Sequence, residues 1–156
     1  MQIWQNLLTK GNEHYHDKNW YDAEIYYREA EDILNRAWMY DRENDSLLMA
    51  WVCSAHNLAA LYEVQNEHVV AMQYLLLAHN RILNLTKIEE PNNDIKFLAM
   101  KILKITLAPI ITFKTKYPIC EDCMEALMGG ANKAKQIVPN ISSEHIFTQL
   151  ERAAVH

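Results

Sequence analysis

Two cysteines near the C-terminal third of this sequence have the spacing of a zinc or redox pair. Cys120 and Cys123 flank Glu-Asp, and two thiolates three residues apart on a helix can share a zinc ion. Pro118 precedes them and indicates a helix N-terminus, where the pKa of a thiol falls. A structural zinc site needs about four ligands, and the sequence holds no second CxxC or HxxxH pair. A redox CxxC would follow a strand, which is not expected here, so ordinary helix residues are the simpler interpretation.

Two further pairs have spacings that suit chemistry on a helix. Glu13 and His16 match the Glu-x-x-His motif of di-iron bundles, which need that motif twice, and no second copy exists. Cys53 and His56 lie about one helical turn apart, as a nucleophile and its base would, but no third group is evident. We therefore predict no enzyme activity, no metal site and no cofactor. A small helical-bundle metal or thiol protein, using the cysteine pair or the Glu-x-x-His pair, is the alternative.

The elements that would carry these residues are helices. Apolar residues recur at intervals of three and four along most of the chain, and the only 3 Gly and 4 Pro favour long helices. Pro109 is expected to kink or break the fifth helix near Leu107, and no strand is expected. The predicted helices cover about 3–16, 20–39, 46–64 and 68–86, a segment from about 94, and then about 119–137 and 142–154.

Bulk composition restricts the class of protein. At 156 residues, half of them hydrophobic, the chain is predicted to form one globular domain over 1–156. The net charge of −5 argues against nucleic acid as a partner, since its binders usually carry a basic face. No apolar run reaches the roughly 18 residues of a membrane span, and the start of the chain lacks the features of a signal peptide. Three sparse cysteines suit a reducing cytoplasm, which is the predicted location.

One pattern of small and large residues occurs twice, 48 residues apart. Each copy begins with a small residue and has a second small residue twelve positions later. A large residue follows after four more positions, and a third small residue after three more. Small residues at these steps let neighbouring helices approach closely, and the large residue fills the gap between them. This pattern indicates stacked helical hairpins. The two copies are Gly11, Ala23, Tyr27, Ala30 and Ala59, Ala71, Leu75, Ala78.

The repeat resembles the tetratricopeptide repeat family, whose pattern is W-x2-L-G-x2-Y, then A-x3-F, then A and P. The second copy reads Leu58-Ala59-x2-Tyr62 and then Ala71-x3-Leu75-x2-Ala78. The step of 48 residues exceeds the family's usual length of about 34, and the closing Pro is missing from both copies. The resemblance implies an all-α, right-handed stack of antiparallel helical hairpins with about seven helices. Its parts would be repeat one at about 4–40, repeat two at about 46–86, a degenerate third hairpin at about 94–138 and a capping helix at about 142–154.

The resemblance also implies a function. The first helix of each hairpin would line a concave groove that holds a protein or peptide partner, as an adaptor, chaperone or regulator does. A homodimer, with a second copy in the groove, is an alternative. The lining positions implied by the family are Gln5, Leu8, Asn12, Tyr15, His16, His56, Ala60 and Glu63, with Cys53 and Val64 beside them.

Side chains of two other kinds are predicted to have structural roles. The four tryptophans are expected to pack between helices, and any that stay exposed would be binding hot spots. In the second helix, acidic residues alternate with two arginines, which is typical of a solvated helix face. These charged residues are Glu24, Arg28, Glu29, Glu31, Asp32 and Arg36.

Overall fold

The computed structural model of the chain describes residues 2–89 and 93–120, together with Asp122 and Leu127. Within these residues the fold is all-α, as predicted, with five helices and no strand. The helices are α1 (Ile3–His16), α2 (Trp20–Tyr40), α3 (Asp45–Val64), α4 (His68–Thr86) and α5 (Asn93–Lys116). The sixth and seventh helices predicted over about 119–137 and 142–154 lie, apart from a few residues, outside the described part of the chain.

Successive helices of the first four are neighbours in space: α1 contacts α2, α2 contacts α3, and α3 contacts α4. The turns that close the two pairs are the same turn, 48 residues apart. Lys18 has a φ of 61° and Asn66 has a φ of 62°, both in the left-handed region. The residue after each of them donates its backbone N–H to a carbonyl five residues back, at 2.8 Å from Asn19 to His14 and at 2.9 Å from Glu67 to Tyr62. The sequence repeat is therefore also a repeat of local backbone structure.

The close approach predicted for the first hairpin is confirmed at Gly11. A Cβ atom at this position would lie 2.5 Å from two ring atoms of Tyr27, so only glycine fits without movement. Tyr27 is 2% exposed, and its hydroxyl donates a hydrogen bond to the Asn12 Oδ1 atom at 2.7 Å. The small residues Ala23 and Ala30 on the facing helix are fully buried.

A pair of stacked rings also recurs at equivalent positions of the two hairpins. His14 stacks on Tyr26 with ring centroids 5.3 Å apart and planes 10° apart. The residues 48 positions later, Tyr62 and Tyr74, stack with centroids 5.6 Å apart and the same interplanar angle of 10°. The first and second helices of each pair therefore face each other in the same register.

Helix α3 is the central helix of the first four. It begins after Asn44, whose side-chain oxygen accepts a hydrogen bond from the Leu47 N–H at 3.1 Å and so caps the helix. Ten of its residues are buried, compared with two in α1. By its 20 residues and mean hydropathy of 1.2 α3 is long and apolar enough to cross a membrane, but 50% of that stretch is buried inside the protein. A buried core helix has the same composition, and this is the role of α3 here.

The predicted break at Pro109 is wrong, since α5 is continuous from Asn93 to Lys116. Pro109 cannot donate the bond that the Ile105 carbonyl would accept. Ile105 is 50% exposed, so water can reach this side of α5 and replace the missing donor. The proline is therefore tolerated. By contacts the chain divides into two compact units inside α5, residues 1–106 and 107–156. In the second unit Leu107, Ile110 and Phe113 form a buried stripe at helical spacing.

A buried polar pair connects α4 to the first part of α5. The His79 Nδ1 atom lies 2.9 Å from the hydroxyl of Thr106, and both residues are almost inaccessible to solvent. The Thr106 hydroxyl also donates to the Leu103 carbonyl at 3.1 Å. Both bonds form together when Nδ1 carries the imidazole proton. Burial lowers the pKa of His79 to about 4, so this histidine is neutral at pH 7.

Candidate functional site

The predicted binding residues of α1 divide between accessible positions and internal packing. Gln5 and His16 are exposed. Leu8 is half-buried and packs against the hydrophobic core cluster, which contains several residues of α3. Asn12 is exposed but accepts the hydrogen bond from Tyr27, and the Tyr15 ring meets the Trp20 ring edge-on at 5.3 Å. Asn12 and Tyr15 thus stabilise the first hairpin as well as facing solvent.

The predicted positions of α3 form its accessible face. His56, Ala60 and Glu63 are half-buried, whereas Cys53 and Val64 are exposed. After the first turn of α3, its accessible residues are Met49, Cys53, His56, Asn57, Ala60, Glu63 and Val64, at intervals of three and four. These residues share one stripe of the helix. We call this stripe the α3 face. Its predicted members lie 48 residues after their counterparts in α1, as the repeat requires.

Cys53 and His56 have electrostatic properties that oppose nucleophilic catalysis. Burial raises the pKa of the Cys53 thiol, so the thiolate is disfavoured at neutral pH. Burial lowers the pKa of His56, and its Nε2 atom is buried without a hydrogen-bond partner in the described structure. A neutral thiol and a histidine without an orienting group do not make an activated pair.

A polar network joins α2 to α3 where the sequence predicted a solvated face. The Tyr62 hydroxyl donates to Glu24 Oε1 at 2.6 Å and accepts a hydrogen bond from Arg28. Arg28 also pairs with the same Glu24 oxygen at 2.8 Å. Burial acts to raise the pKa of Glu24, but the hydrogen bonds from Tyr62 and Arg28 outweigh it, and the pKa is lowered. Burial, with the bond to Glu24, raises the pKa of Tyr62 to about 12.

A second cluster, around Trp51, was also missed. Trp51 is fully buried, and its indole N–H donates to Glu31 Oε1 at 2.9 Å. The guanidinium carbon of Arg81 lies 3.7 Å from the centre of the Trp51 ring and 5.3 Å from that of Trp38. Trp51 and Trp38 are core residues, as predicted, whereas Glu31 is not part of a solvated face. The mixture of acidic residues and arginines along α2 does not reveal which of them meet a neighbouring helix.

The other candidate chemical residues do not converge in the described structure. Glu13 and His16 are exposed on α1, and Cys120 is exposed. Cys123 lies outside the described residues. Across 2–89 and 93–120 no group of three or more His, Cys, Asp or Glu side chains is placed to hold a metal ion.

Comparison with known proteins assigns the chain to a family. The family model described as a protein of unknown function, DUF2753, covers residues 2–142. No curated protein and no solved structure matches the chain. The assignment to the tetratricopeptide repeat family was therefore wrong: small residues facing large ones is a general solution to close helix packing, and its spacing does not identify that family. Because the matching model spans most of the sequence, the chain belongs to the DUF2753 family.

Proposed function

We propose that this protein is a non-catalytic binding module for a protein or peptide segment, which lies along the accessible sides of α1 and α3. The proposal needs the hairpins α1–α2 and α3–α4 to stack in a right-handed sense, with their first helices sharing one surface. The identical turns and the matching ring stacks at equivalent positions support such a regular arrangement.

The observation that carries the proposal is the α3 face. Ten residues of α3 are buried, yet this one stripe stays accessible along the helix. A central core helix that keeps one continuous side partly accessible to solvent offers a partner a rigid and preformed surface. Rigid elements bind with a smaller loss of conformational freedom than loops do.

The chemistry of the α3 face suits a partner held by apolar burial and a few hydrogen bonds. Val64 is 43% exposed, and Ala60 keeps the backbone close to the surface. The lowered pKa of His56 keeps its imidazole neutral at pH 7, so its ring contributes apolar area without a charge. The net charge of −5 supports protein partners over nucleic acid, and we place the protein in the cytoplasm because its three cysteines are sparse and odd in number.

A charge scan with a matched control tests the proposal. The variant Cys53→Arg with Val64→Arg alters two exposed positions of the α3 face. The control variant Val69→Arg with Gln73→Arg adds the same charge at exposed positions of α4, where Val69 is 54% exposed. We expect a partner captured from native lysate by the wild type to be retained by the control and lost by the α3 variant, with helicity unchanged in both.

Two outcomes contradict the proposal. Equal capture by both variants would place the interface elsewhere on the molecule. A wild-type mass of two chains in light scattering, reduced to one chain by the α3 variant alone, would instead assign the face to a homodimer.

A further inference from the structure

A cleft of about 330 Å³ is formed by α2, α4 and the turn after α4. Its apolar walls are Trp38, Leu77, Leu85 and Ile88. Its polar lining residues are Asn80, Arg81 and Asn84. A concave, mostly apolar lining with a few polar groups is the usual composition of a small-ligand site. The cleft shares no residue with the α3 face.

Arg81 is held in this cleft by aromatic rings rather than by hydrogen bonds. Its guanidinium carbon lies 3.7 Å from the Trp51 ring centre and 5.3 Å from the Trp38 ring centre. Such cation–π contacts use the charge of the guanidinium and leave its N–H donors free for other partners. Within the described chain the buried Nη1 atom has no hydrogen-bond partner. The arginine is therefore positioned, but its donors are not saturated.

A second unsatisfied donor belongs to another residue that lines the same cleft. The Trp38 Nε1 atom is buried and meets no acceptor among the described residues. The indole of Trp51, by contrast, donates to Glu31 at 2.9 Å. Buried donors without an acceptor are uncommon in folded proteins, and two of them beside one cleft point to a ligand that brings acceptors. Arg81 itself lines the cleft, and of its guanidinium nitrogens only Nη1 is among the buried, unpaired atoms.

The local charge selects the kind of acceptor. The Arg42 guanidinium also lies over the Trp38 ring, at 5.8 Å, so two cations flank this side chain. Burial lowers the pKa of Arg81, the charge of Glu31 acts to raise it, and Arg42 acts to lower it. Arginine remains protonated at neutral pH in proteins. Arg81 is the one charged residue among those that line the cleft, so the lining suits a monoanion.

We propose that this cleft binds an organic carboxylate with an apolar body. The carboxylate would accept hydrogen bonds from Arg81, and the apolar body would lie against Trp38 and Leu85. The Asn80 and Asn84 amides, one helical turn apart, add donors at the rim. Two sources supply this chemistry: a free carboxylic acid, or the C-terminal carboxylate of a polypeptide that ends in an apolar residue. This inference goes beyond the proposed function, and its failure leaves the α3 face untouched.

Calorimetric titration with two acid–amide pairs tests the site. The first pair is 3-phenylpropionate and 3-phenylpropionamide. The second is an acetylated tetrapeptide ending in phenylalanine, with a free or an amidated C terminus. Because a hydrogen bond to a charged group is stronger than one to a neutral group, we expect each acid that binds to do so about tenfold more tightly than its amide. The acid should also shift the Trp38 indole N–H resonance, which is assigned by Trp38→Phe.

Matched variants test whether Arg81 causes the preference for the acid. Arg81→Met should abolish the preference for the acid, whereas Arg36→Met, at an exposed ion pair of α2 that does not line the cleft, should keep it. Leu77→Glu gives a second test should Arg81→Met fail to fold, because Leu77 is 45% exposed at the cleft and its replacement adds a competing negative charge. It should weaken binding of either acid about tenfold.

The outcomes separate the sources and can overturn the site. Binding of 3-phenylpropionate alone supports a free acid as the ligand, and binding of the free-terminus peptide alone supports a polypeptide end. The proposal is overturned by no binding of either acid up to about 5 mM, or by equal binding of acid and amide. Unchanged binding by Arg81→Met would also overturn it.

Discussion

The hairpins α1–α2 and α3–α4 have the same local geometry but very different environments. Both turn through a residue with positive φ, and both stack an aromatic ring of the first helix on a tyrosine of the second. Yet α1 buries two residues, whereas α3 buries ten. The first hairpin lies at the end of the row of helices, and α3 packs between α2 and α4. The backbone repeat is therefore independent of how much each copy is covered.

The side chains at the closest contact also differ between the two hairpins. At the closest contact of the first hairpin, Gly11 meets an aromatic ring whose hydroxyl is bonded to Asn12. The corresponding residues of the second hairpin are Ala59 and Leu75, which are 4% and 5% exposed and carry no polar atom. The first hairpin keeps a polar group beside its contact, whereas the contact of the second hairpin is formed by apolar side chains alone.

The largest expected difference between the hairpins is in their response to acid. His79 of α4 is 4% exposed and its pKa is lowered to about 4 by burial, whereas His16 of α1 is exposed. Between pH 6.5 and pH 4 the unfolded chain binds a proton that buried His79 does not, so stability falls as the pH falls through this window. The loss attributable to this residue is about 3 kcal/mol. Burial lowers the pKa of His56 as well, which acts in the same direction.

Urea unfolding at pH 7 and at pH 4.5 measures this effect. The variant His79→Gln keeps a donor for Thr106 but has no proton to gain. It should lose less stability on acidification than the wild type and than His16→Gln. Equal losses in all three proteins would show that His79 is not the acid-sensitive group.

The second largest expected effect on stability is at the Gly11 contact. In Gly11→Ala the new Cβ would collide with the Tyr27 ring, and we expect a net loss of about 2 kcal/mol even though alanine favours the helix. The double variant Gly11→Ala with Tyr27→Leu converts the first hairpin into the Ala59 and Leu75 pair of the second. It should recover a large part of the loss, measured as coupling in a double-mutant cycle of urea unfolding. Strictly additive losses would mean that the two contacts are not equivalent.

Substitutions in the ring stacks should change the stability of the protein by smaller amounts. Tyr62→Phe keeps the stack on Tyr74 but removes the hydroxyl that bonds Glu24 and Arg28, so it should cost about 1 kcal/mol. His14→Phe keeps the equivalent stack on Tyr26 at a half-buried site and should change stability by less than about 0.5 kcal/mol. Thermal unfolding of both variants tests this order, and a reversed order would show that the network around Tyr62 does not stabilise the fold.

Sequence reasoning succeeded where periodicity, polar breaks and the sizes of side chains determine the structure. Periodicity and polar breaks placed the first four helices to within a residue at their ends, and the small-to-large pattern found the Gly11 contact. It failed where the partner of a charged side chain lies on a neighbouring helix. Glu31 sits in a regular charged pattern, and only the packing of α3 against α2 shows that its carboxylate meets Trp51. Arg81 gave no sequence signal, because an arginine in an amphipathic helix is usually solvated.

The smallest expected effect concerns the two turns, where the backbone is the same and the residue differs. Lys18 and Asn66 adopt φ angles of 61° and 62°, which strain a lysine more than an asparagine. Lys18→Gly should therefore stabilise the protein by about 0.5 kcal/mol, after allowing for the greater freedom of glycine in the unfolded chain. Asn66→Gly should change stability by no more than a few tenths of a kcal/mol. Urea midpoints of both variants, measured side by side, test this order. An equal gain in stability in both variants would mean that the positive φ strains lysine no more than asparagine.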